Sequence, residues 1–402
     1  MNTATRDFIE KHLKDDVRSL ALSKFPEDVD KTLALNQIEA RQILSKKVPS
    51  WASNPDLLFP KHLSIEQCSS ELTAKYKVSI IEGGDVFVDL TGGLGIDSYF
   101  LSQRFKTSYY VENQKELCDL AEHNFGVLGR KINVINSDAE SFLNDLTSRR
   151  DNARVVLYLD PARRDVYNRK MVSLHDCSPD VIDLQNILLK NAKNVLIKVS
   201  PMLDISLITN ELKNISEIHI VSVKNECKEV LIKIEPSFDG DIKYFCVNFV
   251  GNDLKSVQSF EFSESSEIFE SSKFAPTIHH YLYEPNASLM KSGAFKLISQ
   301  RFGIDKLHIN SHLYTSENLI PDFPGRVFEV VGFAHFNKKI KKELLKNVSE
   351  ASVSTRNFPL SANDLRKSLN LKESDKNYVF GTTTMGENKI IILCRKYNPL
   401  TQ

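Results

Sequence analysis

The stretch from Val86 to Asp97, VFVDLTGGLGID, constrains this chain more than any other. An apolar run closes on Asp89, and Thr91, Gly92, Gly93 and Gly95 follow before a helix-like segment. A parallel strand needs that order to turn tightly into a helix while a ligand lies against the backbone. Glycine is required because a Cβ would block the turn or the ligand. Asp89 then stands at the strand end, where its carboxylate can accept hydrogen bonds from a polar or cationic ligand group.

The same unit recurs down the middle of the chain. The pattern predicts strands over Asp85–Leu90, Ser108–Glu112, Ile132–Asn136, Val155–Leu159 and Val195–Val199. Helices are predicted at Ile96–Arg104, Gln114–Phe125, Ala139–Leu146 and Asp204–Leu212. Nearly continuous apolar strands alternating with helices imply a parallel sheet covered on both faces. Two further strands, Glu217–Val223 and Glu229–Ile234, follow with a connection too short for a crossover helix, so they are predicted to be antiparallel.

At 402 residues the chain has room for two or three domains. Lys+Arg and Asp+Glu both total 52, so net charge neither favours nor excludes a nucleic acid partner. The six cysteines (Cys68, Cys118, Cys177, Cys227, Cys246 and Cys394) are scattered without a CxxC pair. They read as reduced core thiols, not a disulfide framework or a zinc site. No signal-like or membrane-length apolar run is present, so the expectation is a soluble, cytoplasmic protein.

Four zones separate. Residues 1–75 look helical, with helical spacing over Thr5–Leu20 and Lys31–Leu44, then a proline-bearing link in which Trp51 and Phe59 should dock on a neighbour. Residues 76–236 carry the alternating pattern. Residues 237–320 form a connecting α+β region, with a strand at Ile242–Val250 and a Ser/Glu-rich stretch, Ser256–Ser272, expected to be a loop or a poorly ordered hairpin. Residues 321–402 form a small α+β unit.

Acids close the first four strands: Asp89, Glu112, Asp138 and Asp160. Any one of them reads equally well as a helix N-cap. Four at the same sheet edge converge on the crevice where an open α/β sheet holds its ligand.

These features resemble class I S-adenosylmethionine-dependent methyltransferases: seven strands with a terminal antiparallel pair, D-x-T-x-G-x-G at Asp89–Gly95, then Glu112, Asp138 and Asp160-Pro161. The resemblance implies a Rossmann-like sheet with S-adenosyl-L-methionine as cofactor. It places Asp89, Thr91, Gly93 and Gly95 around the methionine part, Glu112 on the ribose, Asp138 with Ala139 at the adenine, and Asp160 where cofactor and substrate meet. Thr91 stands where the family usually has glycine. A dinucleotide-binding turn would want a third glycine where this chain has Ser98.

The run Asp160-Pro161-Ala162-Arg163-Arg164-Asp165 bears on the chemistry. It departs from the D/N-P-P-Y/F of amino-group methyltransferases. Uridine C5 methyltransferases carry an Asp-Pro-Ala-Arg run but need a cysteine near the fifth strand end, where this chain has Val199-Ser200-Pro201. Nothing in the spacing of Cys177 makes it that nucleophile. Direct transfer is therefore expected, with Asp160 holding or deprotonating a nitrogen acceptor. Arg163 and Arg164 would clamp a phosphate or carboxylate, or else form an ion pair with Asp165.

With Tyr283–Ala287, Met290–Gly293, Phe323–Arg326 and Arg356–Pro359, the chain resembles a bacterial group of these methyltransferases that carries a THUMP-like C-terminal domain. THUMP domains proper serve RNA-modifying enzymes, so the resemblance implies RNA. A helix predicted at Lys338–Lys346 carries Lys338, Lys339, Lys341, Lys342 and Lys346. With Arg326, Arg356, Arg366 and Lys367 it could track a phosphate backbone, or be a solvated face. His308 and His312 lack a third ligand, and no metal is implied. The sequence thus reads as an RNA methyltransferase acting by non-covalent transfer. The alternatives are a non-catalytic S-adenosylmethionine- or RNA-binding protein, and a protein or small-molecule methyltransferase.

Overall fold

A computed structural model describes residues 1–60, 62–147, 154–163, 173–337 and 339–397. Arg164, Asp165 and Lys338 fall outside the described residues, as do the side chains of Arg163 and Lys341. The chain divides into two units. The first comprises Met1–Ile218, Glu229–Gly240 and Asn252–Lys255, and the second His219–Lys228, Asp241–Gly251 and Ser256–Gln402.

The sheet of the first unit is built from β1 (Gly84–Asp89), β2 (Phe105–Glu112), β3 (Asn133–Asn136), β4 (Val155–Leu159), β5 (Asn194–Val199), β6 (Ile215–Val223, entering at its first residues) and β7 (Glu226–Ile234). Their order is β6-β7-β5-β4-β1-β2-β3. The first five are parallel, and β7 runs antiparallel to β5. Val156–Leu159 and Val195–Ile197 are buried throughout, as strands covered on both faces must be.

The N-terminal helices pack against this sheet unit. The expected helix over Thr5–Leu20 is two, Thr3–His12 and Val17–Ala21, because Asp16 turns out of the helix and caps the second through the Ser19 N–H at 2.8 Å. The proline link then packs Trp51, Leu57 and Phe59 into one core with Leu94, Ile96, Phe100, Tyr110 and Phe125. Its backbone is satisfied by side chains: Arg41 donates to the carbonyls of Asn54, Pro55 and Leu57. Gln37 bonds Phe59 through both its amide atoms, and Asn124 does the same for Leu58.

In the second unit, β8 (Lys243–Phe249) and β9 (Val257–Ser263) form an antiparallel pair, followed by a helix, Glu264–Phe269. The Ser/Glu-rich stretch is therefore regular structure. Phe260 and Phe262 bury alternate positions while the polar residues between them face water, which is strand patterning despite the polar composition. A seven-stranded sheet follows, from β10 (Tyr281–Pro285), β11 (Asp305–Lys306), β12 (Tyr314–Ser316), β13 (Gly325–His335), β14 (Ser352–Arg356), β15 (Tyr378–Thr383) and β16 (Lys389–Lys396). Its order is β11-β12-β10-β13-β16-β15-β14. The pairing of β10 with β13 puts residues 281–285 and 325–335 in one sheet.

The expected lysine helix is a single turn, Ile340–Glu343. Burial of both Ile340 and Leu345 bends the chain there, and Val348 N–H closes the next turn on Leu345 at 3.0 Å.

Trp51, 1% exposed, sits at the seam between the helical region and the glycine turn. Trp51→Ala should cost about 3–5 kcal/mol of unfolding free energy, read by circular dichroism in urea, since Trp51 is the chain's one tryptophan.

Candidate active site

A cavity of about 310 Å³ opens at the carboxyl ends of β1, β2, β3 and β4, within the range of small-molecule sites. Its lining includes Asp89, Thr91, Gly93, Gly95, Glu112, Asp138, Ala139 and Asp160, every residue expected to hold the cofactor.

The turn after β1 shows why each glycine is there. A Cβ on Gly92 would meet the Tyr110 ring at 2.2 Å, and one on Gly95 would meet Phe125 at 2.9 Å. Gly93 differs: its φ is +53°, and a Cβ there would find only the Thr91 carbonyl, at 3.8 Å. The turn is thus pressed onto aromatic rings on one side and leaves open space on the other, the cradle a ligand backbone contact needs. Tyr110 OH donates to the Gly93 carbonyl at 2.6 Å, and Gly93 N–H donates to Glu112 Oε2 at 3.0 Å.

The acids carry structural duties as well. Asp89 accepts from Thr91 N–H at 3.0 Å and from the Ser98 hydroxyl. Burial pushes its carboxyl up to about 7, against the pull of those bonds. Glu112 also accepts from Gln114 N–H at 2.9 Å. Asp138 accepts from both the N–H and the hydroxyl of Ser141 at 2.8 Å, capping the helix Ala139–Thr147, and these bonds hold it below the usual carboxylate range. Thr91, in the place where glycine is usual, accepts the Asp160 N–H at 2.6 Å and so ties the first turn to the fourth strand end.

Beneath the cavity lies a charge network that sequence reasoning missed. Lys77, wholly buried, donates to Ser69 Oγ at 2.9 Å, Asp97 Oδ1 at 3.0 Å and Glu229 Oε2 at 2.9 Å. Asp97 Oδ2 accepts from Ser69 at 2.7 Å and Tyr158 OH at 2.8 Å. Burial works against the Asp97 carboxylate, but Lys77 and Lys198 outweigh it and hold the group below its usual range. Burial raises Glu229, and the same two lysines offset this in part. Lys198, on β5, donates to Asp160 Oδ2. Burial opposes its charge, but Asp160, Asp97 and Glu229 overcome that and raise it. A lysine inside the apolar run Val195–Val199 was the available signal.

Gln67, Cys68 and Ser69 bring the N-terminal helical region into the cavity wall, and Ala162, Ser178 and Pro179 supply the opposite run. Ala162–Arg163 pairs with Cys177–Ser178 in a short antiparallel ribbon, which leaves Cys177 2% exposed. Burial pushes the Cys68 thiol up to about 11, so it is not set up as a thiolate nucleophile. Lys306, His308, His312, Arg326 and Arg356 belong to the second unit. His308 bonds Glu387 at 3.0 Å and His279 bonds Glu317 at 2.6 Å. Arg326 and Arg356, candidate phosphate contacts from the sequence, both bond buried Glu284.

Because folding holds Asp89 protonated up to about 7, the folded state keeps a proton that the unfolded chain releases near the usual carboxylate range. Stability falls as pH rises through that window. Asp89→Asn should flatten this fall between about pH 4 and pH 7, measured by urea unfolding of the protein without added cofactor.

Comparison with known proteins agrees with this geometry. A ferredoxin-like domain family matches residues 281–324, and a THUMP domain-like family matches residues 325–396. No functionally curated protein matches the chain. Among solved structures, a Porphyromonas gingivalis W83 protein assigned as a methyltransferase is similar over 98% of both chains, with 33% identity and a TM-score of 0.86. The Streptococcus mutans methyltransferase SMU.1697c, solved with SAH, is 12% identical over 40% of this chain and 94% of its own, at a TM-score of 0.30. M. capricolum TrmK, solved with S-adenosyl-homocysteine, is 14% identical over 41% of this chain and 68% of its own, at 0.31. A β3-β2-β1-β4-β5-β7-β6 sheet, a glycine cradle beside four strand-end acids, and near full-length similarity to a methyltransferase lead to one assignment: the chain belongs to the S-adenosylmethionine-dependent methyltransferases and carries a THUMP-like domain at its C-terminus.

Proposed function

We propose that this methyltransferase acts on RNA by direct, non-covalent transfer, with the acceptor atom held beside Asp160. The observation that carries the RNA reading is the THUMP domain-like match over residues 325–396. Exposed Lys339, Lys342 and Lys346 in the same segment offer charge to a phosphate backbone.

S-adenosylmethionine, when bound, supplies an electrophilic sulfonium methyl. The chain's own work is placement. Gly93 leaves room at the turn, Glu112 and Asp138 offer acceptor oxygens along the cavity, and Asp160 stands at its end. Lys198 and the Thr91 hydroxyl fix Asp160 by its carboxylate and its backbone N–H. A carboxylate so held accepts an N–H from the acceptor and orients the nitrogen lone pair for in-line attack. Cys68 lacks the thiolate character that covalent pyrimidine chemistry needs and Cys177 is buried, which supports direct transfer. Arg163 and Arg164 would steady a substrate anion next to Asp160.

Asp160→Asn should lower the rate of labelled methyl transfer to a cellular RNA fraction by about 10²-fold or more, with S-adenosylmethionine affinity changed far less. Label appearing in protein and absent from RNA would overturn the substrate assignment. Reversing charge at Lys339 and Lys342 together (Lys339→Glu, Lys342→Glu) should weaken RNA binding and flatten its dependence on salt by about one to two units of slope, as measured by fluorescence anisotropy. An unchanged slope would remove this segment from the RNA path.

A further inference from the structure

Glu284, in the Tyr283–Ala287 motif, is 2% exposed at the end of β10. Arg326, its register partner on β13, donates to its Oε2 through Nε at 2.7 Å and also through a terminal nitrogen. Arg356, at the end of β14, donates to its Oε1 at 3.0 Å. One carboxylate therefore holds two guanidiniums, which leaves the cluster with a surplus positive charge. The arginine side chains remain 32% and 36% exposed, so their outer N–H edges are open to solvent.

The surroundings of Arg356 are unusual. Its Nε is buried and, among the described residues, has no partner. Thr382, which pairs with Arg356 in the register of β14 and β15, is fully buried, and its hydroxyl has no partner among the described residues. His312 Nδ1 is a third such atom. His312 takes a left-handed backbone conformation (φ +52°) and stacks on Phe295 at 3.6 Å between ring centroids. Lys306 lies 5.0 Å from the other partner of that stack, the Phe295 ring. Burial pushes His312 down to about 4, and the positive charges of Lys306 and Arg356 add to the effect. Buried donors left unmade cost stability unless something meets them.

We propose that Arg326 and Arg356, braced by Glu284 and joined by Thr382, form a phosphate-binding site in the second unit. A tetrahedral phosphate offers acceptors in several directions at once, which suits donors carried on three strands, whereas a carboxylate offers two coplanar oxygens. The fork of a guanidinium meets phosphate through paired N–H groups. Glu284 is the brace: its ion pairs fix both forks before the ligand arrives, so less rotamer entropy is lost on binding. His312, kept neutral, can donate or accept without adding charge. The inference rests on the RNA reading for the source of the phosphate, either a backbone phosphodiester or a terminal phosphomonoester.

Two variants test it. Thr382→Val keeps the shape and deletes a hydroxyl that nothing in the protein satisfies, so the fold should be as stable as before or more so. Arg356→Lys keeps the charge and removes the fork. Inorganic phosphate should raise the melting temperature of the wild-type protein beyond an equal ionic strength of chloride, and both variants should lose that increment. Affinity for a short single-stranded RNA, read by anisotropy, should fall about five- to tenfold in Thr382→Val. A preference for 5′-phosphorylated over 5′-hydroxyl RNA assigns the site to a terminal phosphate, and equal binding assigns it to the backbone. A phosphate increment that Thr382→Val abolishes, in a protein that binds no RNA, sustains the site and overturns the RNA reading. No increment over chloride, or variants that match the wild type in both assays, overturns the site.

Discussion

The ammonium of Lys77 is the point on which the first unit depends. It comes from the last helix of the N-terminal region and is enclosed on all sides. It meets Asp97 from the helix after the glycine turn and Glu229 from β7. An unpaired charge in such a place is strongly unfavourable, so the three elements are bound to one arrangement. Ser69 and Tyr158 complete the coordination of Asp97, which carries the constraint to the cavity wall and to β4. The N-terminal helices are thereby part of the site: the same anchoring sets Gln67, Cys68 and Ser69 along the cavity.

Above this network the strand-end acids do two jobs each. Glu112 holds the Gly93 N–H, Asp89 holds Thr91 and Ser98, and Asp138 caps its helix. Carboxylates engaged in this way are already oriented and pay little further entropy when a ligand uses their remaining lone pairs. Lys198 plays the same part for Asp160 and couples it electrostatically to Asp97 and Glu229. Shape and charge at the Asp160 end of the cavity are consequently set by residues outside its lining, such as Lys77, Lys198 and Glu229, as much as by those within it.

Much of this was legible in the chain. Strands with period-two or continuous apolar character, helices between them, and an acid at each strand end located the parallel strands and the edge at which the cavity opens, because those features depend on local pattern. The short connection between β6 and β7 was legible for the same reason. The errors fell where burial overrode composition. Ser256–Ser272 looked like a loop or a poorly ordered hairpin, yet Phe260 and Phe262 make its first half a regular strand paired with β8. The lysine-rich segment looked helical, yet Leu345 pulled the chain out of the helix after one turn.

By itself the sequence determined the alternation of strands and helices, the glycine turn, and the acids that close β1 to β4, since backbone sterics and side-chain periodicity act over a few residues. Tertiary structure alone decided which distant charges meet. Lys77 and Glu229 lie 152 positions apart, Lys198 and Asp160 lie 38 apart, and Arg356 and Glu284 lie 72 apart. In a sequence each is one more charged residue. Only when folding strips away their water does each become costly alone, and the partner it then finds fixes both the frame of the cavity and the phosphate site inferred beside Glu284.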